Sequence, residues 1–133
     1  GGGGAAGEGK RLAAVVDWAP YGSTPLGSPP SLYTVTRDTY PDTGPLGPWL
    51  VLRGAQTLAH GLAAIHAAGV CHGDVYAHNV LVSSDRRWMR LGDFGASFFY
   101  EPGGPDGAAL ERLEVCAWGR LVAEMLALVP PRP

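Results

Sequence analysis

Proline, glycine, serine and threonine crowd the segment from Ala19 to Pro48, APYGSTPLGSPPSLYTVTRDTYPDTGPLGP, and this stretch limits what the chain can build. Each proline removes a backbone donor and fixes φ, so little regular structure is expected there beyond short turns. A connection of this length is either a functional lid or a mobile insert. The regular elements must therefore come from a short run before it and from the residues after Pro48.

Before it, RLAAVVDWA is an apolar run compatible with one strand. After it, Leu58, Leu62 and Ile65 fall at i, i+4 and i+7 with Ala55 and Ala59 beside them, which predicts a helix over residues 49–68 capped by Gly69. A turn segment, VCHGDVYAHN, leads into VLV as a buried strand. SSDRR then predicts a hairpin turn and WMRL the returning strand. The loop EPGGPDG separates this hairpin from a second helix over residues 108–128. There Leu110, Leu113, Ala117, Leu121 and Met125 keep helical spacing, and Pro130, Pro131 and Pro133 end it. The class is α+β, with no internal repeat.

Composition narrows the function. Over 133 residues the formal net charge is −2 and the arginines form no stripe, which argues against nucleic acid or an anionic membrane as the main partner. No apolar run is long enough to span a bilayer and no signal-peptide core is present, so an intracellular, cytoplasmic setting is expected. Cys71 and Cys116 have no metal-ligand spacing and read as small buried hydrophobes. Lys10 is the only lysine. It lies in GGGGAAGEGKR, which matches P-loop spacing until Arg11 stands where a hydroxyl residue is needed, so residues 1–11 read as a flexible glycine-rich tail.

The order helix, HGDVYAHN, hairpin, LGDFGA resembles the C-terminal half of the protein-kinase catalytic domain, whose paired signatures are H-R-D-L-x-x-x-N and D-F-G. With TRDTY upstream and LERLEVCAWG downstream, it is similar to kinase-like proteins with an abbreviated activation segment. The resemblance covers roughly residues 12–128. It implies a partial protein-kinase-like domain over residues 12–133: a hinge strand, the Pro-rich connection 19–48, a mainly helical lobe, a catalytic loop at 72–79, a hairpin at 80–92 and the D-F-G turn at 93–95.

The resemblance also assigns roles. Asp74 would accept or orient the proton of the attacking hydroxyl, and Asn79 and Asp93 would offer oxygen ligands to magnesium bridging the phosphates of ATP. Leu81 would floor the adenine, and Val16, Asp17, Trp18 and Ala19 would be the hinge facing its edge. His72 would pack beneath the turn carrying Phe94 and Gly95, and Glu114 would anchor the catalytic loop. Taken singly, Asp74 reads as a turn aspartate, Asn79 as a strand-entry cap, and His72 and His78 as satisfied loop histidines. His60 and His66 read as partly exposed helix residues without a ligand set.

Three departures qualify the function. Gly73 replaces an arginine that pairs with a phosphorylated activation loop, and only twenty residues separate Asp93 from Glu114, with no A-P-E motif. Tyr76 stands where Ser/Thr kinases carry a lysine. The glycine-rich loop and strand lysine of the family belong upstream of this chain, so it is expected to be an incomplete domain, inactive by itself, with a protein partner covering the surface of the absent lobe. The leading expectation is ATP- and magnesium-dependent transfer to a protein Ser/Thr hydroxyl. A pseudokinase or interaction module, and a small-molecule kinase of the aminoglycoside-phosphotransferase type, stay open.

Overall fold

The computed structural model describes residues 19–35 and 37–132. The tail at 1–11, the strand expected before Ala19 and the hinge residues Val16, Asp17 and Trp18 lie outside them. Among the described residues, two α-helices and two small antiparallel sheets make an α+β architecture.

The first element of the described residues is β1 (Thr24–Pro25), a two-residue strand inside the Pro-rich segment. It departs from the expectation of turns alone. Its partner is β3 (Val80–Val82), with Thr24 opposite Val82 and Pro25 opposite Leu81. A proline is tolerated because β1 is an edge strand. β4 (Met89–Leu91) pairs on the other side of β3, Val82 opposite Met89, which completes the order β1-β3-β4. The hairpin turn is closed by Ser83, whose Oγ accepts from the backbone N–H groups of Arg87 and Trp88 at 2.9 and 3.1 Å.

Helix α1 (Pro48–Ala67) starts with proline at its first position, where the missing N–H costs nothing, and ends before Gly69 at φ +72. Its buried face is Leu50, Val51, Gly54, Leu58 and Leu62. Ile65, Ala55 and Ala59 are half-buried at its margin. Helix and sheet approach closely at Gly54, where a Cβ would stand 2.5 Å from the Sδ of fully buried Met89.

Helix α2 (Gly107–Ala127) closes the other side with Leu121 and Met125, and the Trp118 indole N–H donates to the Ala55 carbonyl of α1 at 3.1 Å. Two expectations fail on α2. Leu113 is 68% exposed, and Cys116 is exposed although Cys71 is buried. The helix is turned so that Glu114, not Leu113, faces inward. Between the hairpin and α2, β5 (Phe98–Phe99) returns to pair with β2 (Val70–Cys71), Cys71 opposite Phe98.

Much of the Pro-rich segment is tied to the rest of the molecule, although Tyr21, Leu32, Tyr33 and Val35 stand exposed. Ser28 and Thr39 exchange backbone hydrogen bonds at 2.8 and 3.1 Å. Leu26 and Leu46 are fully buried in the core. The Arg86 guanidinium of the hairpin turn donates to the carbonyls of Thr43 and Pro45, and the Tyr40 hydroxyl donates to Glu124 of α2. Burial first, then that carboxylate, pushes the Tyr40 phenol far above its ordinary pKa.

Candidate active site

The loop from His72 to Asn79 is set between β2 and β3, and its apolar residues Val75 and Ala77 are buried in the core. Tyr76, between them, is half exposed. A short 310 turn over Ala77–Asn79 delivers Asn79 to the start of β3.

Asn79 then turns back on Asp74. Its Nδ2 donates to the Asp74 carbonyl at 2.9 Å and to Asp74 Oδ2 at 2.7 Å. Both amide hydrogens are used, which leaves Asn79 Oδ1 as an acceptor. The hydrogen bonds to the Asp74 carboxylate among the described residues all fall on Oδ2.

Asp93 occupies the left-handed region at φ 49, ψ 81, a strain of about 1–2 kcal/mol for a residue with a Cβ. Its Oδ1 accepts from the Gly95 N–H at 3.1 Å, which partly offsets that cost. The backbone N–H of Gly92 donates to the Asn79 carbonyl at 2.8 Å, so the approach to Asp93 is tied to Asn79.

Asn79 and Asp93 line one cleft of about 760 Å³, together with Leu26, Asp42, His78 and Arg86. This volume lies in the roughly 300–1,000 Å³ range of ligand sites. Leu81 and Ala19 are not among its walls. Leu81 is half-buried on the face of β3 opposite Val80 and Val82, and Ala19 is exposed coil.

His72 is fully buried, with Nε2 2.8 Å from the Gly92 carbonyl and Nδ1 accepting the Asp74 N–H at 3.3 Å. A carbonyl can only accept, so the proton sits on Nε2. The Phe94 ring meets the His72 ring edge-on at 4.7 Å. One histidine thus links the backbone before Asp93 to the backbone of Asp74.

Glu114 is buried on α2, where Oε1 accepts the Gly73 N–H at 2.6 Å and Oε2 lies 2.7 Å from His66 Nε2. His66 is therefore not a bystander on α1. It shares one carboxylate with the loop from His72 to Asn79, and its partner stands 48 residues away in the chain. His66, Cys71 and Glu114 form a buried group with donor atoms within 4.8 Å of one another, and each Glu114 oxygen there already has one hydrogen-bond partner, Gly73 or His66. The Cys71 thiol is pushed up in pKa, first by burial and then by the charges of Glu114 and Glu111.

A second pair escaped the sequence reading. Asp38, from TRDTY, is buried to 2% side-chain exposure and holds His78. Its Oδ2 accepts the His78 backbone N–H at 2.8 Å, and its Oδ1 lies 2.9 Å from His78 Nδ1. On the other edge of the ring, His78 Nε2 stands 3.3 Å from Asp74 Oδ2. Burial lowers the His78 pKa, but the hydrogen bond and charge of Asp38, with Asp74 adding, outweigh it and raise the imidazole above its ordinary value. TRDTY is legible as part of the family resemblance, but nothing in the sequence pairs its aspartate with a histidine 40 residues on, and turn aspartates are too common to single out.

Comparison with known proteins adds what geometry alone leaves open. The model of the lipopolysaccharide kinase (Kdo/WaaP) family matches residues 52–95, from α1 through the D-F-G turn. The serine/threonine-protein kinase pkn2 of Myxococcus xanthus is 44% identical over 61 residues, 44% of this chain and 7% of that protein. From α1 through the D-F-G turn the chain is kinase-like by both comparisons. A further relative of this kinase-like chain is the serine/threonine-protein kinase PknL of Mycobacterium tuberculosis, 39% identical over 59 residues, 44% of the chain and 14% of the relative. The kinase-like chain thus aligns with only a small part of the length of these relatives.

Proposed function

We propose that this chain carries the phosphotransfer half of a kinase-like active site, with ATP as donor and a hydroxyl as acceptor. The observation that supports it is the Asp74–Asn79 pair: Asn79 holds Oδ2 at 2.7 Å, and Oδ1 is the carboxylate oxygen left to meet an acceptor hydroxyl. Phosphoryl transfer asks little covalent chemistry of the protein, so positioning of this kind is its main contribution.

Asn79 Oδ1 and the Asp93 carboxylate fit magnesium, since both are hard oxygen donors and both face the same cleft. Bound there with ATP, the ion would neutralise phosphate charge. The chain's own task is to keep the two donors in register, through the Gly92 to Asn79 hydrogen bond and the His72 bridge. Asp74 would take the proton of the acceptor hydroxyl as its oxygen bonds to the γ-phosphorus and the bond to the β-phosphate oxygen breaks, with ADP leaving.

Two acceptor classes are in play, and different relatives favour each. The pkn2 and PknL names speak for a Ser/Thr hydroxyl on a protein. The lipopolysaccharide kinase family model speaks for a hydroxyl on a saccharide, and Tyr76 in place of the lysine of Ser/Thr kinases agrees with it. We take the protein acceptor as the first reading, because those relatives extend over more of the chain.

The deciding experiment is magnesium-dependent binding of a fluorescent ATP analogue to the wild-type chain and to Asp93→Asn. Binding in the wild type that is lost in the variant is the expected result. Equal binding by both would remove Asp93 as a ligand and the phosphotransferase reading with it. A panel of peptides and sugars labelled from γ-phosphate then separates the two acceptor classes.

A further inference from the structure

Three elements converge where α1 ends. His66 stands in the last turn of α1, Cys71 in β2 and Glu114 in α2, and their donor atoms lie within 4.8 Å of one another. The surroundings are nearly dry: Cys71 is 1% exposed, and the side chains of His66 and Glu114 are 11% and 9% exposed. Cys71 is a free cysteine, and the hydrogen bonds inside the group, from Gly73 to Oε1 and between His66 Nε2 and Oε2, leave its sulfur out. The charge is one-sided. Glu114 and Glu111 both set negative charge near that sulfur, and the ion pairs among the described residues bring no guanidinium to either.

The group is also reached from outside. Cys71 and Glu114 line a cavity of about 240 Å³, with Val75, Tyr76 and Phe98 among its other walls. A water occupies about 30 Å³ of liquid volume, so the cavity admits an ion together with its waters. It is distinct from the cleft lined by Asn79 and Asp93.

We propose that His66, Cys71 and Glu114 form a zinc-binding site that joins α1, β2 and α2 at the start of the loop from His72 to Asn79. The donor set selects the metal. Zinc takes sulfur, nitrogen and carboxylate oxygen in a tetrahedron, whereas magnesium asks for oxygens in an octahedron, so this group and the Asn79–Asp93 pair suit different ions. With bonds of about 2.0–2.3 Å, tetrahedral zinc spaces its donors about 3.3–3.6 Å apart. The His66–Glu114 contact at 2.7 Å must open by roughly half an ångström, and no other separation, at 4.8 Å or less, must close by much more than about one.

On binding, the ion takes the place of the proton between Nε2 and Oε2, and the thiol proton leaves to solvent. Glu114 Oε1 keeps the Gly73 N–H, so the hold on the loop is retained. A divalent charge holds a coordinating sulfur as thiolate. Three protein ligands leave a fourth position for a water from the cavity. Such an ion ties two helices and a strand together at one point, and its binding energy adds to folding energy. The site is independent of the phosphotransferase reading.

The test uses the full chain, stripped with a chelator and titrated with zinc or, separately, with cobalt. One zinc per chain is expected, and cobalt in its place should give a thiolate-to-metal absorption band in the near ultraviolet. Cys71→Ser should lose both, and so should Glu114→Gln, which keeps an oxygen for the Gly73 N–H. Cys116→Ser should keep both. A hundredfold excess of zinc over Kd should raise the thermal midpoint of the wild type and of Cys116→Ser by about 5–10 °C and leave Cys71→Ser unmoved.

No stoichiometric zinc in the wild type would overturn the inference. So would a cobalt band that survives Cys71→Ser or disappears in Cys116→Ser, either of which means an adventitious ion only. If Cys71→Ser fails to fold, zinc stoichiometry in Glu114→Gln and the cobalt band in Cys116→Ser decide between the same outcomes. A chain that binds zinc but no magnesium-ATP brings down the phosphotransferase reading alone, and one that binds magnesium-ATP but no zinc brings down this site alone.

Discussion

Gly73 sits at φ +83, and a Cβ there would stand 2.4 Å from the Ala96 carbonyl oxygen. Read in the sequence, this glycine marks the loss of an arginine. In the structure it has a reason of its own, since the loop from His72 to Asn79 passes so close to Ala96 that no side chain fits at Gly73. Gly73→Ala is expected to lose about 1–2 kcal/mol from the left-handed backbone alone and more from the collision, read as a fall in the denaturant midpoint. Magnesium-dependent nucleotide binding should weaken alongside, because Ala96 follows the D-F-G turn directly. The same scale shows why site residues differ in legibility. Asp74, Asn79, Asp93, His72 and Glu114 lie in motifs whose order and spacing can be read along the chain. Asp38 and His66 act through partners 40 and 48 residues away, and nothing local announces such a pairing.

At the scale of elements, a helix with a regular apolar stripe is easy to read. The segment expected over 49–68 is the helix Pro48–Ala67, since Leu58 and Leu62 recur at the helical period and both ends carry their own stop signals. Leu58→Ala is expected to cost about 2–5 kcal/mol, because Leu58 is 1% exposed at the centre of the core; chemical denaturation measures it. Helix α2 was read with less fidelity. Its spacing alone places Leu113 on the inner face, yet the helix is rotated to bring Glu114 in. A carboxylate satisfied by Gly73 and His66 settles the rotation, and hydrophobic periodicity does not weigh such polar demands. Strand β1 was hidden for another reason. Its two residues read as turn chemistry, and only the exposed edge of β3 makes them a strand.

Taken whole, the described residues pack around one core shared by α1, α2 and the three-stranded sheet. The two cysteines report on that packing. Cys116 is exposed on α2, whereas Cys71 is buried and its thiol is held up in pKa, so thiolate is scarce there at neutral pH. Iodoacetamide is expected to modify Cys116 in the native protein and to reach Cys71 only after unfolding, as peptide mass mapping would show. Equal modification of both would mean that α2 does not cover β2. The fastenings of the Pro-rich segment bear on traffic through the site. Leu26, Asp38, Tyr40, Thr43 and Leu46 are each tied to a different part of the body. A strip stitched at so many places does not lift as a door. The segment instead forms part of the standing wall of the cleft, since Leu26, Asp42, Thr43 and Leu46 all line it.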